Sequence, residues 1–177
     1  LQQADSMKAC VQLGGGIRTL QSAMEILNMG ITRVILGTIA AENPTFIKEL
    51  VKQVGAHRVV VGVDARNGQV RTRGWQKESG QEARAFASSL QKIGVETIIY
   101  TDIQRDGVGG GINLQSTLEL AQSSGLNVIA SGGIYNLADI QAVKDAGLPG
   151  VVVGRALYEG SVDAAIAFNL QEENLKC

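Results

Sequence analysis

Three carboxylates, one hydroxyl and a set of repeated glycine corners are the residues with which this sequence could do chemistry. Asp64 lies in Val63-Asp64-Ala65-Arg66-Asn67-Gly68, directly after an apolar run. A carboxylate at the end of a buried strand is placed for proton transfer, the plainer alternative being an Asp that caps its own turn. Further along, Tyr100-Thr101-Asp102-Ile103-Gln104-Arg105-Asp106-Gly107 supplies the Thr101 hydroxyl and two more carboxylates. Asp106 precedes the glycine-rich stretch Gly107 to Gly111, which reads as a mobile loop able to fold over a ligand. Asp102 reads equally as a helix cap or an ion-pair residue.

The glycines come in matched sets. Gly14-Gly15-Gly16-Ile17 corresponds to Ser131-Gly132-Gly133-Ile134, and Gly37-Thr38 corresponds to Gly154-Arg155. Glycine lets the backbone approach an anion closely, and the N–H groups that open a following helix then point at phosphate oxygens with the helix dipole behind them. One Gly-Gly turn alone is more often structural. Two copies point to two phosphate sites, gripped by Gly15, Gly16, Gly37 and Thr38 on one side and by Gly132, Gly133, Gly154 and Arg155 on the other. The expected ligand is therefore a small molecule phosphorylated at both ends. Arg18 adds positive charge near the first set, although an Arg on a loop is commonly just solvated. Trp75, the only tryptophan, sits within Arg73-Gly74-Trp75 in the long stretch Gly68 to Gly80, which reads as a loop. Its indole is expected to stack on a planar ring of the substrate.

Elements must hold these residues in place, and the chain shows them in alternation. Short β-branched runs recur at Val11 to Leu13, Arg33 to Leu36, Val59 to Val63, Thr97 to Tyr100, Asn127 to Ala130 and Val151 to Val153. Continuous apolar runs of this kind suit strands covered on both faces of a parallel sheet. Between them lie segments with helical spacing, such as Phe46, Ile47, Leu50 and Val51, or Ala83, Phe86, Ala87, Leu90 and Ile93. Gly30, Gly55, Gly94, Gly125 and Gly147 stand where those helices should close, and Asn43-Pro44 reads as an N-cap with a first-turn proline. Laid without gaps, Val11 to Asn43 runs parallel to Val128 to Gly160, matching Gly30 with Gly147 and Val34 with Val151. A two-unit βαβα module thus occurs twice with two further units between the copies. The fold class expected is α/β, a TIM (βα)8-barrel type truncated to about six βα units, strands 3 to 8, as a single partial barrel over residues 1–177. In such a barrel the working surface is the rim where strands pass into βα-loops, which is where every residue named above falls.

Composition excludes several classes. The 177 residues are 45% hydrophobic and 19% charged, with a net charge of -1, and Lys and Arg are scattered among Asp and Glu, so no basic face for nucleic acid is expected. No apolar run approaches the ~20 residues of a membrane span and no signal-peptide order opens the chain, which reads as cytoplasmic. Cys10 and Cys177 lie at opposite ends without a Cys/His cluster, so no metal site is expected. The lone His57 precedes an apolar run and reads as a helix-end or loop residue without a role.

In combination, the strings VQLGGGIRT, VILGT, VGVDARNG, RGW followed by Ser79, YTDIQRDG, IASGGI and VGRALYEG resemble the phosphoribosylformimino-AICAR-phosphate isomerase family of histidine biosynthesis. The likeness runs in order from Val11 to about Gly160. The sister cyclase, imidazole glycerol phosphate synthase, shares the glycine turns and an RDG loop, while RGW and YTDI favour the isomerase. The resemblance implies an Amadori rearrangement of an aminoaldose ribonucleotide to the aminoketose, with no metal and no organic cofactor. One group protonates the ring oxygen and another removes the C2 proton. By resemblance the acid role passes to Asp106, with Asp64 its rival and, together with Thr101, an assistant in ring opening. Arg73 and Trp75 would cover the aminoimidazole end, and Gly16, Thr38, Gly133 and Arg155 would mark the phosphate grips.

The sequence departs from the family in three places. The family's first two strands, with the Asp that serves as base, have no counterpart here, so the chain is expected to be a sugar isomerase by descent whose turnover in isolation is in question. Asp106-Gly107-Val108 and Gly111-Ile112-Asn113 replace the usual Asp-Gly-Thr and Gly-Pro-Asn, and Arg155 replaces a frequent lysine. Two missing barrel strands would leave open sheet edges, inviting self-association or a complementing chain. The other readings are a cyclase-like enzyme, a dual histidine and tryptophan isomerase, and a non-catalytic phosphosugar-binding or assembly fragment.

Overall fold

The computed structural model describes residues 10–170. Eight strands follow in chain order: β1 (Gln12–Gly14), β2 (Arg33–Leu36), β3 (Val59–Arg66), β4 (Gln69–Thr72), β5 (Lys77–Glu82), β6 (Thr97–Asp102), β7 (Asn127–Ser131) and β8 (Gly150–Val151). Six of them pair in parallel in the order β1-β2-β3-β6-β7-β8, a curled half-barrel. The expected α/β architecture and its six parallel strands are therefore present, with bounds shifted by a few residues.

β3 and β6 run on to Arg66 and Asp102, beyond the apolar cores that mark them in the sequence. The cause is an element that sequence reading took for a loop. Gly68 to Gly80 is mostly a hairpin: β4 pairs antiparallel with β3, and β5 pairs with β4. Asn67 and Gly68 both have positive φ, 53° and 75°, and join the paired residues Arg66 and Gln69. This is a two-residue turn of the I′ kind, for which Asn-Gly is the favoured sequence. Pairing with β4 supplies partners for the end of β3, so the strand continues past its apolar run.

Strand residues alternate between two surroundings. Val34, Leu36, Val61, Val63, Ile98 and Val128 are inaccessible or nearly so and pack with Ala23, Ile47, Leu50, Ala87, Leu90 and Leu120 from the covering helices. Full burial of each such aliphatic side chain stabilises by about 1.5–3 kcal/mol before chain entropy is set against it. The alternate set includes Ile35, Gly62, Asp64 and Ile99, which line the concave side. A second apolar cluster gathers Ala130, Ile134, Ile140, Val143, Ala156 and Val162 around β7 and β8.

Among the described residues the α-helices are α1 (Leu20–Asn28), α2 (Thr38–Glu42), α3 (Pro44–Val54), α4 (Ala83–Lys92), α5 (Leu114–Ser124), α6 (Leu137–Asp145), α7 (Arg155–Tyr158) and α8 (Ala164–Asn169). Asn43 caps α3, its side chain accepting from the Phe46 N–H at 3.1 Å, with Pro44 in the first turn. Gly55 and Gly125, at φ 88° and 69°, close α3 and α5 as expected. His57 lies in a short 3-10 turn, Ala56–Arg58, and the adjacent Arg58 donates to the carbonyls of Leu27 and Ile31, tying the end of α1 to the start of β3. The sequence repeat is also a backbone repeat. α1 and α6 are each nine residues long, and Gly37 and Gly154, which open α2 and α7, share φ of -100° with ψ of -104° and -107°. No helix among the described residues is long and apolar enough to cross a membrane.

Candidate functional site

The sheet order decides which residues meet. β3 and β6 occupy its middle, so Asp64 and Thr101, partners in register, stand at the centre of the rim, and Thr101 is in turn paired with Ser131 on β7. The glycine corner after β1 and β2 lies to one side and the corner after β7 and β8 to the other. Three strand intervals of about 4.8 Å separate β2 from β7 along the sheet, or roughly 14 Å.

Asp64 is bound from above. The Trp75 indole N–H donates to its Oδ2 at 2.9 Å, and Trp75 stays 39% exposed. The hairpin makes this contact possible, because Arg73, Gly74 and Trp75 form its tip between β4 and β5. Arg73 and Trp75 have φ of 54° and 71°, a left-handed conformation costing about 1–3 kcal/mol for a non-glycine residue, which the surrounding bonds must hold. One such bond runs from the Arg73 N–H to Thr38 Oγ1 at 2.9 Å, and the Arg73 guanidinium reaches Glu42 at 2.9 and 3.0 Å. Arg73, Trp75, Thr38 and Asp64, four residues singled out by type, are thus one connected group. Arg71, which sequence reading passed over, lies opposite Asp64 on β4.

The first glycine corner opens on a cavity of about 780 Å³ bounded by Gly14, Gly15, Gly16, Arg18, Gly37, Thr38, Asp64 and Arg73. A Cβ added at Gly15, Gly16 or Gly37 would meet nothing within 4 Å. The space on the Cβ side of these glycines is therefore open, and all three line the cavity. The positive φ of Gly15 and Gly16, 106° and 71°, explains the glycines locally and leaves room for a ligand.

The second corner is built differently. Its cavity, about 480 Å³, is bounded by Asp106, Gly107, Gly132, Gly133, Gly154 and Arg155 among others. A Cβ at Gly132 would lie 2.6 Å from the Asp102 carbonyl oxygen, and one at Gly133 would lie 2.5 Å from that of Gly111. These two glycines are required by the packing of the Asp106 loop against them, so their correspondence to Gly15 and Gly16 is one of sequence and backbone but not of surroundings. Gly154, like Gly37, has nothing within 4 Å of its added Cβ.

The stretch read as mobile makes several fixed contacts. The Asp106 N–H donates to the Asp102 carbonyl at 3.1 Å, Arg105 donates to the Gly110 carbonyl at 2.9 Å, and Arg155 Nη1 donates to the Gly107 carbonyl at 2.5 Å. Arg155 also pairs with Glu159 at 2.5 Å, so the cation expected to face a phosphate is already tied to the loop and to its own helix. Of the two kinds its sequence suggested, Asp102 is closer to the cap: its side chain and its carbonyl receive the N–H groups of Gln104, Arg105 and Asp106 in the turn after β6, where no helix is present. Asp102 is 8% exposed, and its carboxylate accepts from the Gln104 N–H at 3.0 Å and from Asn113 Nδ2 at 2.8 Å. Beside it, burial and then the Asp102 charge raise the pKa of Tyr100 above the ordinary value of 10.0, with Arg84 acting in the opposite sense. No group of three or more His, Cys, Asp or Glu able to hold a metal ion occurs among the described residues.

Sequence comparison supplies the remaining finding. A family model described as histidine biosynthesis protein matches residues 2–163. A protein of Lachnoclostridium phytofermentans is 44% identical over 92% of this chain and 68% of its own length. One of Synechococcus sp. is 50% identical over 90% of this chain and 63% of its own length, and one of Roseobacter denitrificans is 48% identical over 91% and 69%. All three are named 1-(5-phosphoribosyl)-5-((5-phosphoribosylamino)methylideneamino) imidazole-4-carboxamide isomerase. The chain spans about two thirds of the length of these curated relatives.

Proposed function

Because the chain belongs to the histidine biosynthesis protein family, we propose that its rim serves an Amadori isomerisation, converting a doubly phosphorylated aminoaldose ribonucleotide of aminoimidazole carboxamide into the aminoketose. The observation that carries this reading is the position of Asp64, at the end of a central strand between two repeat-related glycine corners, on the wall of the first cavity and under the Trp75 indole. A ligand with a phosphate in each corner would lay its reacting carbons across β3 and β6.

Isomerisation needs an acid at the ring oxygen and a base at C2. The acid role, which sequence left between Asp106 and Asp64, goes to Asp64. Its place beside Thr101 on the two central strands and its contact with Trp75 support this; Asp64 bounds the first cavity and Asp106 the second, so nearness to a corner does not separate them. Thr101 would hold the opened sugar, and Asp106 would help to order the second corner. By family resemblance the base is a carboxylate on a strand that the family carries ahead of the part matching Val11. The amides of Gly15, Gly16 and Gly37, with Thr38 and Arg18, would grip one phosphate, while Gly132, Gly133, Gly154 and Arg155 would grip the other. Trp75 and Arg73 would cover the aminoimidazole end.

Among the described residues β1 and β8 are the two ends of the parallel sheet, and further strands, from the same or another chain, would close the barrel there. A substrate bearing two phosphates does not cross membranes unaided, which supports a cytoplasmic location. The reading is tested by calorimetry and turnover with the aminoaldose ribonucleotide. Binding that is lost when either phosphate is removed supports it, and failure of the chain to bind the bisphosphorylated ligand at all refutes it.

A further inference from the structure

We propose that Asp102 is a positioning residue that clamps both ends of the loop carrying Asp106, and so sets the shape of the second glycine corner. Asp102 is the last residue of β6, and it does not bound the cavity of that corner. It is nevertheless buried, and each of its carboxylate oxygens has one donor. Oδ1 takes the N–H of Gln104 at the start of the loop, and Oδ2 takes the side-chain amide of Asn113 where the loop ends and α5 begins. Its carbonyl accepts from the N–H groups of Arg105 and Asp106 and also occupies the space over Gly132. A shift of Asp102 would therefore move the loop and the glycine corner together.

The chemistry of the pair explains why the residue is a carboxylate. Asn113 caps α5 through its side-chain oxygen, which faces the Ser116 N–H, so its amide nitrogen must face Asp102. Both atoms aimed at residue 102 are thus donors, and only a carboxylate offers an acceptor to each. Asparagine at position 102 would set its NH2 against one of them. The defect is reciprocal, because aspartate at position 113 would still cap α5 and would accept from an asparagine at 102.

The inference rests on the isomerase reading only for the identity of the ligand; the clamp can be measured without one. Hydrogen exchange of the Gln104, Arg105 and Asp106 amides is compared in the unaltered chain, Asp102→Asn, Asn113→Asp and the double variant that exchanges the two residues. Loss of a bond to a charged group predicts exchange about tenfold faster in each single variant, and restoration in the double one. Titration with inorganic phosphate should follow the same order, weakening in the single variants and recovering in the exchanged pair. Unchanged loop exchange in the single variants, or no recovery in the double, overturns the proposal. If the single variants fail to fold, rescue of folding by the exchange supports the clamp, and an exchanged pair that folds no better refutes it. Should the unaltered chain bind no bisphosphorylated ribonucleotide, the isomerase reading fails while the exchange pattern still decides the role of Asp102.

Discussion

Replacing Gly15 and Gly132 by alanine, one variant at a time, separates an open amide cradle from a packed turn. Both residues have positive φ, 106° and 85°, so both variants carry the backbone penalty of an L-residue there, about 1–2 kcal/mol. Beyond that they diverge. The new methyl group at Gly15 meets nothing within 4 Å, whereas the one at Gly132 lies 2.6 Å from the Asp102 carbonyl oxygen and 3.2 Å from its nitrogen. Backbone atoms cannot swing aside as a side-chain tip can, and overpacking of this kind adds about 1–3 kcal/mol. At roughly 2–4 °C per kcal/mol for a chain of this size, Gly15→Ala should lower Tm by about 2–8 °C and Gly132→Ala by about 4–20 °C. Calorimetric melting gives both shifts, and titration with inorganic phosphate gives the second half of the argument. Gly15→Ala should weaken phosphate at the first corner despite its smaller thermal effect, because the methyl group enters the space in which the anion would lie. Equal Tm shifts, or a Gly15→Ala chain that binds phosphate as well as the parent, would refute the reasoning.

Three further outcomes follow from particular contacts. Leu50 is fully buried in the larger apolar cluster, and Leu50→Ala should cost about 2–5 kcal/mol in urea unfolding, a value below about 1 kcal/mol being inconsistent with that packing. Trp75 is the only tryptophan, so Asp64→Ala, which removes the acceptor of its indole N–H, should shift intrinsic fluorescence to the red at a cost of no more than about 1.5 kcal/mol, since the indole is open to water. Tyr100 has a folded pKa above its ordinary value, so the neutral phenol is favoured by folding; its contribution is fully present below about pH 10 and is lost as pH rises through the raised value. Urea midpoints of the parent and Tyr100→Phe at about pH 8 and about pH 11 should therefore show the larger alkaline loss in the parent.

The six parallel strands and their covering helices were legible in the sequence because apolar periodicity and helix-closing glycines are local signals, set by what a residue's immediate neighbours in the chain allow. The repeat was legible for the same reason: each copy of the glycine corner carries its own backbone requirement, and Gly37 and Gly154 adopt nearly the same dihedral angles. The β4–β5 hairpin was readable in principle. Asn67-Gly68 is the favoured two-residue turn, but Lys77-Glu78-Ser79-Gly80-Gln81-Glu82 has no apolar alternation to mark it as a strand, because it lies on the surface and draws its order from pairing with β4. The indole on Asp64, the difference between Gly15 and Gly132, and the two donors on Asp102 depended on distance across the fold. Asp102 and Asp106 are four residues apart and alike in type, yet one faces the buried junction with α5 and the other the cavity at the rim. Chain order assigns a residue its backbone and its chemistry, whereas its partners are fixed by strand register and by the loops that packing brings over it.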